Sequence, residues 1–179
     1  RPDLMTFAKG VTSGYIPLGG VMVGDRIAKV LIEQGGEFNH GYTYSGHPLA
    51  CAVALETLRI YEADNVIGHV NEVAPRLQRG LRRFAGHELV GEVRGLGLIG
   101  ALELSEDKVA HKPFAPQHGV GAYFVRCAQA HGLITRALGG DIIAFSPPLI
   151  IREAEIDSML ECTERALDDT LAWVRGGMK

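Results

Sequence analysis

Between positions 65 and 84 the residues Val66, Val70, Val73, Leu77, Leu81 and Phe84 recur at steps of three and four in an otherwise polar stretch. At 3.6 residues per turn, those steps place all of them on one side of a helix. A helix with one apolar stripe must lay it against something, so this feature demands a packed partner. A second such helix is predicted over about 153–175, with Ile156, Met159, Leu160, Thr163, Leu167, Leu171 and Val174 on one face and Gly176-Gly177 ending it. Between the two lie strand-like runs. One covers 90–104, broken by Gly95, Gly97 and Gly100; two shorter ones, 133–138 and 142–146, are joined by a turn at Gly139-Gly140-Asp141. A polar loop at 105–118 and a helix over about 119–131, stopped by Gly132, complete this part. Residues 63–179 therefore read as a compact α+β domain, a small sheet with helices against it.

The first 62 residues are different. Gly10, Gly14, Gly19, Gly20, Gly24, Gly35, Gly36 and Gly41 punctuate them, with the apolar run Val21-Met22-Val23 reading as a buried strand. A short helix over about 25–34 stops at Gly35-Gly36. Pro48 opens another helix, 48–61, that is apolar on nearly every face and belongs in the interior of something larger or at a subunit interface. Residues 1–62 read as the tail end of a bigger α/β domain. The chain begins Arg1-Pro2-Asp3 with no initiator Met, and a fragment of a longer protein is expected.

Composition removes several functions. The net charge is −3 and the pI near 6.2, so there is no basic field to draw in nucleic acid or an anionic membrane. No apolar run approaches the roughly 20 residues that span a bilayer, and no signal-peptide pattern is present. Cys51, Cys127 and Cys162 are far apart in apolar, helix-like stretches. An odd count without a C-x-x-C pair points to reduced, buried thiols in a cytoplasmic protein.

Three segments carry candidate chemistry. The first is Lys9, in Thr6-Phe7-Ala8-Lys9-Gly10, followed by four glycines up to Gly20 and no charged residue until Asp25. A loop lysine taken alone is a solvated charge. Burial in an apolar setting disfavours an ammonium, however, and a neutral amine is what Schiff-base chemistry requires. The second is Phe38-Asn39-His40-Gly41-Tyr42-Thr43-Tyr44-Ser45-Gly46-His47-Pro48. By itself it reads as a polar loop capping the following helix. A metal reading from His40 and His47 is weaker, because no carboxylate or cysteine completes a ligand set. The third is Arg136, in Leu133-Ile134-Thr135-Arg136-Ala137-Leu138, which out of context is a strand arginine facing solvent. A decoy also occurs. Gly95-Leu96-Gly97-Leu98-Ile99-Gly100 fits the dinucleotide fingerprint, but strand continues after it and no acid follows about 20 positions on. NAD binding is rejected, and the glycines are assigned to close approach of a neighbouring backbone.

The run Pro2-Asp3-Leu4-Met5-Thr6-Phe7-Ala8-Lys9-Gly10, followed by Ile16-Pro17-Leu18-Gly19-Gly20, resembles the cofactor-lysine segment of class III (omega-type) aminotransferases. The resemblance extends along the whole chain. It implies a fragment of a fold-type I, pyridoxal-phosphate-dependent transferase, an α/β fold: the end of the large domain (1–62) and the small C-terminal α+β domain (63–179). Lys9 would carry pyridoxal 5'-phosphate. Thr43, with Tyr42 beside it, would bind the cofactor from across a homodimer interface, the Thr43 hydroxyl and N–H serving its phosphate. Arg136 would hold a substrate carboxylate. The implied reaction passes an amino group from an omega-amino acid or amine to a keto acid, with pyruvate preferred. The rivals are a mutase or decarboxylase on the same scaffold, and a non-catalytic fragment that only pairs with a partner chain.

Overall fold

The computed structural model describes residues 2–178. Their contacts cluster into two units, Arg1–Val66 and Ile67–Lys179.

The first unit opens with a hairpin. Strand β1 (Leu4–Ala8) pairs antiparallel with β2 (Gly19–Val23), from Leu4 opposite Val23 to Ala8 opposite Gly19. β1 is absent from the sequence reading. Its five residues are all exposed and show no in–out alternation, so only its partner reveals it. Gly20 is where the pair meets most closely: a Cβ there would stand 2.5 Å from the tip of the Phe7 ring directly opposite. A 3-10 turn (Lys9–Thr12) leaves β1, and α1 (Asp25–Gln34) follows β2. Helix α2 (Pro48–Ala63) begins with proline at its first turn, where a missing N–H costs nothing, and runs two residues past the predicted end. It buries only Ala50, Ala54 and Thr57, while Leu49, Leu55 and Leu58 are exposed. The predicted buried strand is exposed as well, with Val21, Met22 and Val23 all open to solvent.

The second unit holds the core. Helix α3 (Val66–Arg83) starts at the junction, and the predicted strand 90–104 is a hairpin of β3 (Val90–Leu96) and β4 (Ile99–Leu104), turned by Gly97 at φ 58. After the loop come α4 (Val120–Ala130), β5 (Arg136–Leu138), β6 (Ile142–Phe145) and α5 (Glu153–Arg175). β5 is shorter than expected because residues 133–135 are unpaired with β6. The four strands form one antiparallel sheet in the order β3-β4-β6-β5. Leu102, Leu104, Ile143 and Phe145 share one face and join Leu77 and Leu81 of α3, Phe124 of α4, and Ile156 and Leu167 of α5 in a single core. Tyr123 of α4 stacks on Trp173 of α5, centroids 4.0 Å apart and rings nearly parallel.

The decoy glycines meet a neighbouring backbone, as expected, and side chains of α3 as well. A Cβ on Gly95 would stand 2.6 Å from the Ile99 carbonyl oxygen on β4 and 2.7 Å from Gln78 Oε1, and one on Gly100 would overlap Leu81 Cδ1. Gln78 Nε2 donates to the carbonyls of Gly97 (2.9 Å) and Ile99 (3.0 Å), so the helix clamps the hairpin turn. The cysteines lie on α2, α4 and α5 as free thiols, but half-buried rather than buried. Cys162 Sγ donates to the His131 carbonyl at 3.0 Å. Among the described residues no helix is long and apolar enough to cross a membrane.

Candidate functional site

Lys9 stands where the β1 backbone reverses. Ala8 is fully extended (φ −166, ψ −171), and Lys9 turns to φ 57, the left-handed region that side chains other than glycine rarely adopt. Such a conformation costs about 1 kcal/mol or more per residue and persists only where surrounding contacts fix it. Those contacts are local. Ser13, also left-handed at φ 50, donates its N–H to Gly10 O at 3.0 Å, and Tyr15 N–H donates to Thr12 O at 3.0 Å. The Thr12 hydroxyl donates to Ile16 O at 2.6 Å.

Lys9 borders an open hollow of about 580 Å³ that Ala8, Thr12, Ile16, Pro17, Leu18 and Gly19 help to line. It is the single charged side chain there. The sequence places Lys9 in an apolar enclosure, but here it is exposed, because its apolar neighbours are exposed too; Tyr15 is 85% accessible.

Tyr42 and Thr43 sit in a turn that leads into α2. Tyr42 N–H donates to Ser45 Oγ and Ser45 N–H to Tyr42 O, both at 2.9 Å. Thr43 is exposed and makes no hydrogen bond among the described residues, so its hydroxyl and N–H are available to a ligand. It does not line the Lys9 hollow. Among the described residues the expected side-chain capping of α2 by this loop is absent: His47 stands at the N-cap without a side-chain bond, and its buried Nδ1 has no partner there. Among the described residues no group of His, Cys, Asp and Glu side chains could hold a metal ion.

Arg136 belongs to the second unit. Strand pairing sets it in one row across the open face of the sheet, Arg94–Ala101–Ala144–Arg136. The two arginines differ in their surroundings. Arg94 is held by Glu103 (2.7 Å) and Glu92 (3.2 Å), whereas Arg136 has no carboxylate partner among the described residues. Arg136 borders a hollow of about 560 Å³ with Thr135, Ser146, Pro147, Glu155 and Ser158. Glu155 is already engaged. The Arg152 guanidinium and backbone N–H both bond its carboxylate at 2.8 Å and hold its pKa down at about 2. The guanidinium of Arg136 therefore remains open to an incoming carboxylate.

Thr12, which no charge or motif marks in the sequence, is the sole buried side chain among residues 2–49, at 1% exposure.

The class III aminotransferase model matches residues 1–167, and the chain belongs to that family. Its relatives include the chloroplastic gamma aminobutyrate transaminase 3 of Solanum lycopersicum, 44% identical over 173 residues, a match covering 95% of this chain and 33% of the relative. The putrescine–pyruvate aminotransferase of Pseudomonas aeruginosa is 49% identical over 174 residues, covering 97% and 38%. Among solved structures, an (S)-enantioselective omega-transaminase from Thermomicrobium roseum superposes with a TM-score of 0.89 at 43% identity, covering 96% of this chain and 38% of that one. A PMP-bound aminotransferase from Vibrio fluvialis gives 0.90 at 36% identity, with 96% and 38% covered. The chain thus spans about a third of the length of the relatives it matches.

The donor types here fit pyridoxal phosphate. A primary amine on an otherwise uncharged hollow suits an aldehyde, and an unpaired hydroxyl and N–H ahead of a helix suit a phosphate.

Proposed function

We propose that this chain forms part of an aminotransferase that moves an amino group from an omega-amino acid or primary amine to a keto acid, pyruvate preferred, with pyridoxal phosphate held at Lys9. The observation that carries this reading is the lysine itself: a lone charge on an apolar hollow, its backbone fixed in a left-handed turn at the end of a strand. When bound, the cofactor supplies an electron sink. The protein's part is placement and proton movement. Lys9 Nζ would hold the cofactor and, once released, would take a proton from the substrate carbon and deliver it to the cofactor carbon. Thr43 would donate its hydroxyl and N–H to the phosphate, with Tyr42 beside it, and Arg136 would take the substrate carboxylate.

In this reading the first unit is the end of the large cofactor domain and the second is the small domain. Thr43 would serve the neighbouring subunit of a homodimer, which the exposed Leu49, Leu55 and Leu58 of α2 support; light scattering showing an active monomer would contradict it. The three unbridged cysteines support a cytoplasmic setting, which cell fractionation would check.

The central test is Lys9→Ala in the full-length protein, assayed with an omega-amino acid and pyruvate. Amino transfer should vanish while the melting temperature holds, since an exposed loop lysine contributes little packing. Retention of more than roughly a tenth of wild-type turnover would remove Lys9 from the role. Arg136→Ala should weaken donors that carry a carboxylate by roughly 1.5–3 kcal/mol and spare simple amines. Equal losses on both kinds of donor would exclude Arg136 from the site.

A further inference from the structure

The ladder of the β1–β2 hairpin ends at the Ala8–Gly19 pair, and the connection carrying Lys9 lies beyond it. Besides the bonds within its 3-10 turn, Ser13 N–H to Gly10 O and Tyr15 N–H to Thr12 O tie it through the backbone. A further tie is the Thr12 hydroxyl. It has one proton, and the carbonyl of Ile16 at 2.6 Å takes it in preference to that of Lys9 at 3.4 Å. This bond closes the loop from inside, joining the turn that begins at Lys9 to the segment that leads into β2. Thr12 is also the one side chain of residues 2–49 shut away from solvent, and the Lys9–Thr12 turn packs against α2. The loop is therefore fixed twice through one residue, by its hydroxyl and by its burial.

We propose that Thr12 is a positioning residue for Lys9: its bond to Ile16 O holds the left-handed turn that aims the Lys9 amine at the hollow. This rests on the reading of Lys9 as the cofactor lysine. Thr12→Val keeps the shape and burial but removes the donor, leaving the Ile16 carbonyl unpaired. The turn then relaxes, and a displacement of the amine on the order of 1 Å is enough to slow chemistry severely. Thr12→Ser keeps the donor and loses only a methyl group.

The experiment uses the full-length protein and two readouts. The first is amino transfer with the cofactor present, separated into kcat and KM. The second needs no activity: in the cofactor-free protein, a water-soluble acylating reagent is applied and the labelling of Lys9 relative to exposed Lys29 is measured by peptide mass spectrometry. Thr12→Val should lower kcat by roughly tenfold or more, leave the amine KM within about twofold, and shift the Lys9 to Lys29 ratio, while Thr12→Ser stays within about threefold of wild type. Wild-type turnover and labelling in Thr12→Val would overturn the proposal. So would a Thr12→Ser variant as impaired as Thr12→Val, which would reduce Thr12 to packing. Should Thr12→Val fail to fold, Thr12→Cys, a much weaker donor, takes its place under the same criteria. Lys9→Ala runs alongside. If it stays active, the Lys9 reading fails; if it is inactive while Thr12→Val matches wild type, only the role of Thr12 fails.

Discussion

In the second unit Leu77, Leu81, Leu102, Phe124, Ile143, Ile156 and Leu167 are sealed from water, whereas in the first Leu55, Met22 and Ile32 stand 68, 57 and 81% exposed. The side chains are of the same kind, so the difference lies in what each unit has to cover them. Four strands with helices across one face enclose a core. A two-stranded hairpin and two helices bury Thr12, Ala50, Ala54 and Thr57, and no large aliphatic side chain before Val66. Apolar content states a demand for cover, and topology decides whether a unit meets that demand itself. The candidate chemistry follows the same division, since Lys9, Tyr42 and Thr43 lie in the unit with least internal cover and Arg136 in the one with most.

The strongest way to break this contrast is to separate the units. Residues 67–179 alone should unfold in one cooperative urea transition, and residues 1–66 alone should show none and should associate through their exposed faces. A sharp transition in the isolated first unit would mean that its small buried set suffices. A paired substitution sharpens the contrast further. Leu81→Ala should cost about 2–5 kcal/mol, and Leu55→Ala in the same chain less than about 0.5 kcal/mol, measured by chemical denaturation. Similar losses at both positions would show that exposure in the first unit understates its packing.

The smallest expected effect is a pH dependence confined to the second unit. The carboxyl of Glu155 is held at about 2 against an ordinary 4.5, chiefly by the Arg152 guanidinium. A depressed acid stabilises the fold above its unfolded value, and that contribution fades as pH falls from about 4.5 through about 2. Glu155→Gln should flatten this part of the stability curve. An unchanged curve would show that the exposed pair contributes nothing in solution.

Helices α1 and α5 were legible in the sequence because their boundaries are written locally, in glycines and in periodic apolar residues. The other features depend on distant neighbours. β1 carries no alternation and exists by virtue of β2. The hairpin inside 90–104 turns at Gly97-Leu98 without a polar residue, and the buried Leu98 makes the run look continuous. At the site, Lys9 stood out by its uncharged surroundings, and Thr12 did not, because its burial depends on α2, far along the chain. Arg94 and Arg136 look equivalent as strand arginines. Only the pairing that brings Glu103 across from the β3 side chains shows that one is neutralised and the other open.

The stacking of Tyr123 on Trp173 gives the molecule an internal optical label. Trp173 is the single tryptophan of the chain and bridges α4 and α5, so emission excited selectively at tryptophan reports the second unit and is blind to the first. Far-ultraviolet circular dichroism sees α1 and α2 as well. When the two signals are recorded on one sample during denaturation, any gap between the curves is the spectroscopic signature of the hairpin, α1 and α2 melting on their own schedule.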